Sequence, residues 1–381
     1  MQQYVPGVTE VLIKKNVLTA VLMLLSLCIF AGGSEETAKA ISTEQTTITD
    51  CAGREVAVPA NAETFVAIGP GSLRLYCYVG DTRRIVGIEQ FEVINGVTGK
   101  PYLHAHPQLL DLPIIGSGGP GIAPDPEKLL EIYPDVIFST YAADTKALDE
   151  LQNKTGIPVI ALSYGETEVF DPMISRSLEL IGFVTGRTSR AEEVVRFIDA
   201  CAEDLHIRSA DIDFPEKPTI YLGAQSMRGS HGIESTRGNY PIFSVLHARN
   251  IVAEGGIPSY VMLDREILLD WDPDIIVLDA AGLANVQADY SENLPFYRAL
   301  SAFRSDRVYL QLPYNNYHTN IGIALGNAYF IGTILYPDRF ADIDIAEKAN
   351  EIFRELLGEN LYERTAEEYF GGYQRLTFNG K

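Results

Sequence analysis

A twelve-residue pattern occurs twice in this chain, 139 residues apart. In the first copy Glu127 is followed by Leu129 and Leu130, then by Pro134 and Asp135, and the segment runs on through Val136, Ile137 and Phe138. In the second, Glu266 is followed by Leu268 and Leu269, then by Pro273 and Asp274, and the chain runs on through Ile275, Ile276 and Val277. Each copy reads as a short helix with one apolar stripe, stopped before a proline and followed by a buried β-branched strand. A helix-strand unit stated twice, so far apart, requires two lobes of the same α/β kind.

The surrounding sequence fits that plan. Residues 64–69, 84–88 and 157–162 read as strands of the first lobe, with helices over 72–79 and 145–154. Strands over 219–222, 275–278 and 308–310 and helices over 321–335, 345–357 and 366–370 belong to the second. Strands alternating with helices predict parallel sheets with helices on their faces. Residues 173–205 are good helix formers with Ile174, Leu178, Ile181, Val194, Val195, Ile198 and Leu205 at helical spacing, interrupted at Gly186. The fold class expected is therefore α/β, two parallel-sheet lobes joined by a single long helix, with a ligand cleft between them. The boundaries expected are a first lobe over 48–171, a linking backbone helix over 172–214 and a second lobe over 215–381.

The chain begins differently. Lys14 and Lys15 precede an apolar run from Val17 to Phe30, and small residues follow at Ala31, Gly32 and Gly33. That order predicts a secretory signal over 1–33, an exported protein, and a polar tether over 34–47. Cys28 lies in a segment similar to a lipoprotein box, although Leu27 stands where a small residue is usual, so a lipid anchor, plain cleavage and an uncleaved anchor all stay open. Cys51, Cys77 and Cys201 lack the close spacing of a zinc or iron-sulfur site, and their disulfide state is open. A formal charge of −21 repels phosphate backbones and argues against nucleic acid as a partner.

Taken together, Ile48 to Pro59, Arg84 to Ile88, Pro126 to Asp135 and Trp271 to Ile276 resemble the helical-backbone class of ABC-importer binding proteins, and the resemblance spans Ile48 to Leu357. Members of that class carry ferric siderophores, haem, vitamin B12 and, in some cases, molybdate or tungstate. The resemblance implies an extracytoplasmic, monomeric protein with no intrinsic cofactor and no catalytic residues. Its partners would be an ABC permease dimer with its ATPase and a small metal complex. It also implies that an acidic residue on each lobe docks onto the permease; Glu127 and Glu266 are the candidates, the alternative being plain first-turn charges that favour a helix start.

Ligands of open α/β sheets sit beyond the carboxyl ends of the strands. That rule selects Ser72 and Arg74 at a strand-to-helix turn suited to an anion, and Tyr141 after the next strand. The loop from Gln90 to His106 offers Glu92, Tyr102, His104 and His106. In the second lobe it selects Gln225, Arg228 and His231 in a glycine-rich loop, and Tyr314, Tyr317 and His318 before a helix. Among these, His231, His318 and Tyr317 have the chemistry of metal ligands. The expected cargo is an iron complex of the siderophore type, with molybdate or tungstate, or a corrinoid or haem, as alternatives. From another class, a metal-cofactor enzyme with a nitrogenase-like pair of lobes is the competing reading. The export signal and the lack of a cysteine cluster speak against it, and no phosphate loop, nucleophile elbow or His-Glu-x-x-His motif is present.

Overall fold

The computed structural model describes residues 44–94, 96–119, 121–141, 145–227 and 229–378. The signal segment and Cys28 lie outside them. Of the tether expected over 34–47, the last residues are instead part of a hairpin, β1 (Gln45–Thr49) with β2 (Glu55–Pro59).

The first lobe is a parallel sheet in the order β3 (Phe65–Ile68), β4 (Val136–Ser139), β5 (Val159–Ala161). The strand expected over 84–88 is reduced to single bridges, Ile85 to Phe65 and Ile88 to Ile114. Its start is taken by a short 3-10 turn, Thr82–Arg84, capped by the Asp81 side chain. The second lobe contains β6 (Thr219–Gly223), β7 (Ser235–Arg237), β8 (Arg249–Asn250), β9 (Tyr260–Met262), β10 (Ile275–Asp279), β11 (Val308–Gln311) and β12 (Gln374–Leu376). Its main sheet runs β12-β11-β10-β6-β8, parallel except for β12, which pairs antiparallel on the edge. β7 and β9 form a separate hairpin.

Helices used below are α1 (Ser72–Val79), α2 (Pro126–Ile132), α3 (Thr145–Thr155), α4 (Pro172–Thr185), α5 (Thr188–Ser209), α6 (Arg265–Trp271), α7 (Ile321–Leu335) and α8 (Ile345–Leu357). The expected spine is two helices. Gly186, at φ 70°, ends α4, which packs back against α1 and α5. The 22 residues of α5, about 33 Å of helix, then lead to the second lobe.

Alternation along the strands explains how the lobes stay together. Val66, Ile68, Ile137, Val159 and Ala161 face one small core, while Phe65, Ala67, Val136, Phe138 and Ile160 face another. In the second sheet Tyr221, Ile276, Leu278 and Leu310 face outward into their own core, and Ile220, Leu222, Ile275 and Val277 join the same core as the first lobe's inner face. Residues of α1, α4, α5, α7 and α8 fill that shared layer. The lobes are therefore joined by a continuous apolar core as well as by α5.

The repeat has a physical purpose at its Pro-Asp step. α2 ends with Tyr133 at φ 49° and α6 with Asp272 at φ 36°, left-handed caps that turn the chain into each proline. Asp135 Oδ2 then accepts from the backbone N–H and hydroxyl of Thr64, and Thr64 Oγ1 accepts from the Asp135 N–H. Asp274 and Thr219 repeat this reciprocal clip bond for bond. Each clip ties the start of one parallel strand to its neighbour and so sets the register of the sheet. Asp274 is exposed, so in Asp274→Ala water takes over the Thr219 donors, and urea unfolding should show a loss of about 1 kcal/mol; Asp135→Ala, at a half-buried clip, should lose at least as much in the first lobe.

Candidate functional site

The carboxyl ends of both sheets meet at a seam, and its centre is a residue the sequence did not single out. Glu89 is buried. Its Oε2 accepts from the Gly69 N–H at 2.9 Å and from the Tyr317 hydroxyl at 2.8 Å, and its Oε1 from the Tyr141 hydroxyl at 2.9 Å. The two phenol oxygens are 3.4 Å apart, and Tyr317 Oη also accepts from the Gly119 N–H at 2.9 Å. Phe91 packs on the Tyr317 ring with centroids 4.2 Å apart. A first-lobe carboxylate, a first-lobe phenol and a second-lobe phenol thus converge on one point. Burial raises the Glu89 pKa against the pull of these donors, and burial followed by the Glu89 charge raises those of Tyr141 and Tyr317.

Tyr317 reaches this point because the loop bearing it is held from below. Tyr317 and His318 both have positive φ, 49° and 74°, a conformation side chains seldom adopt. Their turn directs the carbonyls of residues 316–319 inward, where the Arg74 guanidinium donates to Asn316 O at 2.5 Å, Thr319 O at 2.9 Å, His318 O at 3.2 Å and Tyr317 O at 3.4 Å. Arg74 is fully buried and stacks over Tyr102 at 5.0 Å. A second stitch lies alongside: Glu168 of the first lobe pairs with Arg237 of β7 at 3.0 Å and accepts from the Tyr314 hydroxyl at 2.9 Å.

The other residues expected at a ligand are placed as follows. Arg74 Nη1 and Nη2 donate to four carbonyls, while its Nε is buried without a partner. Ser72 is buried and donates to Phe138 O, so its hydroxyl caps structure. In the same turn the Gly69 N–H donates to Glu89. Tyr314 is buried against Glu168. His318 stacks on Tyr164 at 4.1 Å, and its Nδ1 accepts from the Thr319 N–H. Burial, then the charge of Arg74, lowers its pKa to about 4, so it is neutral with the proton on Nε2. Glu92, Tyr102 and Lys100 form a buried network of their own, and His104 pairs with Glu368.

The glycine-rich loop of the second lobe forms a separate group. His231 Nε2 donates to Met227 O, which leaves Nδ1 as the nitrogen with a lone pair. Gln225 is buried with its Oε1 unpartnered, and its carbonyl accepts from Ser235, which also bonds Tyr260. The ring of His231 lies 6.4 Å from that of Tyr260. Arg228 lies outside the described residues. Of the predicted set, then, Tyr141 and Tyr317 come together at Glu89, Gln225 and His231 share another loop, and Arg74, Tyr314 and His318 hold the lobes to each other. Cys51 is half-buried against Ser177, and Cys77 and Cys201 are buried free thiols.

Beyond the seam, Glu127 and Glu266 are both exposed in the first turns of the matching helices α2 and α6.

The profile described as periplasmic binding protein matches residues 65–312, a span that holds the first lobe's sheet, Glu89, Tyr141 and the second sheet except its edge strand β12, and that ends before Tyr317. The chain belongs to that family. It is 24% identical over 333 residues to the molybdate-binding protein MolA of Haemophilus influenzae, covering 81% of this chain and 89% of the relative. It is 18% identical over 263 residues to the uncharacterized ABC transporter substrate-binding lipoprotein YvrC of Bacillus subtilis, covering 69% and 77%. Among solved structures, a periplasmic solute-binding protein from Veillonella parvula superimposes with a TM-score of 0.68 at 18% identity, covering 86% of this chain and 97% of that one. MolA bound to molybdate does so at 0.64 and 22%, covering 83% and 98%. These likenesses show the two-lobe α/β fold. As a member of this family the protein is an extracytoplasmic solute-binding component of an ABC importer and not an enzyme, which removes the nitrogenase-like reading.

One further carboxyl lies at the strand ends. Asp279, at the end of β10, is buried, and burial raises its pKa to about 7 despite the N–H of Ala281. Its ordinary value is 3.8. Between these two values the native state holds a proton that the unfolded chain has lost, so stability falls as pH rises through this window and levels off above it. The loss should be on the order of 3–4 kcal/mol. Asp279→Asn, which keeps the acceptor for Ala281, should flatten the slope in denaturant titrations between pH 4 and pH 7, about this carboxyl's window.

Proposed function

We propose that the cargo is an iron(III) species with open coordination positions, such as an incompletely saturated siderophore-type chelate, held at the seam by Glu89, Tyr141 and Tyr317. The convergence of one carboxylate and two phenols carries this reading. Hard oxygen donors suit a hard cation. For an iron(III) ion without donors of its own, replacing the two phenol protons leaves one carboxylate and two phenolates to balance three positive charges; a chelate that brings anionic donors needs correspondingly fewer phenol protons to leave for the buried site to be neutral. A buried charge left unbalanced would be costly. Among the described residues no three His, Cys, Asp or Glu side chains are grouped for a metal, so a metal site here has to recruit tyrosine.

A second reading, molybdate or tungstate, is favoured by the similarity to MolA over most of both chains. An oxyanion beside Glu89 requires that carboxyl to be protonated, and burial moves its pKa in that direction. Titrating the metal-stripped protein with ferric nitrilotriacetate, ferric siderophores, molybdate and tungstate separates the two. A cargo bound only by the native state adds about 2.7 kcal/mol at a hundredfold excess over Kd. The iron reading expects a thermal shift with a ferric ligand and a visible phenolate-to-iron band that weakens in Tyr317→Phe and is lost when Tyr141→Phe is added. Shifts with the oxyanions alone would replace it by the second reading, and no shift with any of them would remove both.

The same transport role gives Glu127 and Glu266 to the permease. Reversing either to Lys should leave cargo binding unchanged and abolish uptake in cells; normal uptake by both variants would refute the assignment.

A further inference from the structure

Away from the seam, two of the six histidines of the chain face each other across the junction of α5 with the second lobe. His206 lies in the last turn of α5 and His247 just beyond the helix Pro241–Val245. His206 Nδ1 and His247 Nε2 are 2.8 Å apart, with the rings 4.9 Å between centroids and inclined at 62°. Both residues are exposed. We propose that this pair is a binding site for a divalent transition metal, separate from the cargo seam.

The site is preorganised by its backbone. His247 has φ 48°, a strained value for a side-chain-bearing residue. It is pinned there by its N–H to Ser244 O and by its carbonyl, which accepts from Lys217 Nζ at 2.8 Å and from the Tyr336 hydroxyl at 3.4 Å. His206 is fixed by the helix. The fixed backbones keep the two nitrogens adjacent, and side-chain rotation of the exposed rings turns both lone pairs from each other toward a shared ion. Metal binding converts the imidazole-imidazole hydrogen bond into two metal-nitrogen bonds: the proton of the bridging bond moves to the outer nitrogen of its own ring, and a neutral pair releases none. Burial, with His206 and Lys217 adding to it, lowers the His247 pKa, so its lone pair is open near neutral pH. The Lys217 charge opposes a cation here, and Asp211, which acts on Lys217, offsets part of that. A surface cavity of ≈ 530 Å³ lined by His247 leaves room for waters to complete the coordination shell.

Geometry also selects the metal. With metal-nitrogen bonds of about 2.0–2.1 Å, a nitrogen separation of 2.8 Å subtends an angle of about 85–90°. An ion that preserves this spacing takes adjacent positions of an octahedral or square-planar shell, as nickel and copper do, rather than those of tetrahedral zinc.

The test is calorimetric titration of the full protein, free of cargo, with nickel, copper and zinc salts, alongside thermal unfolding. One equivalent of nickel or copper should bind and raise the unfolding temperature, and His206→Ala and His247→Ala should each lose both effects. His206→Asn serves should the alanine variants prove unstable without metal. Tyr317→Phe should bind nickel as the parent does, so failure of the iron reading leaves this result standing. Unchanged nickel and copper binding in the histidine variants, or no binding by the parent, would overturn the proposal. Zinc held more tightly than both would overturn the geometry assigned to it.

Discussion

A single guanidinium organises the seam of this protein. Four carbonyls of residues 316–319 point at Arg74, and no neutral side chain satisfies so many acceptors at once. Two consecutive left-handed residues, Tyr317 and His318, each cost about 1–3 kcal/mol and persist because the buried charge stabilises the turn that contains them. The turn in turn carries the Tyr317 hydroxyl across the lobe boundary to Glu89. A residue that looked like a ligand contact is thus what positions the candidate site.

The rest of the architecture keeps that boundary stiff. The inner faces of both sheets share one apolar core through α1, α4, α5, α7 and α8, so separating the lobes would expose buried surface. Glu168, Arg237 and Tyr314 add a polar stitch next to it. A binding protein built this way responds to cargo by small rocking and local rearrangement rather than by wide hinge closure.

Local rearrangement is also what the polar groups of the seam require. Glu89, Tyr141, Tyr317, Gly69 and Gly119 satisfy one another, as buried polar groups must. A ligand entering there has to offer more than the hydrogen bonds it displaces, which is a source of selectivity. A species that merely fills space leaves these groups unpaired and is disfavoured.

Much of the fold was legible because it is written in short, periodic patterns. The helices 321–335 and 345–357 match the expected bounds, and the repeat around Pro134-Asp135 and Pro273-Asp274 gave two lobes correctly. Tyr141 and Tyr317, expected near a ligand from their place after strands, lie together at Glu89. Glu89 was not, because an isolated acid between Ile88 and Gln90 carries no pattern. The 84–88 strand was overread because β-branched residues there make single bridges rather than a ladder. The fate of Arg74 depended on a carbonyl 242 residues away. Periodicity and turn chemistry are local, and so the chain alone specified its elements, its duplication and its kind. Which side chains are buried as braces and which are left for a ligand was decided only when the lobes came together, because that is when desolvation and long-range pairing act.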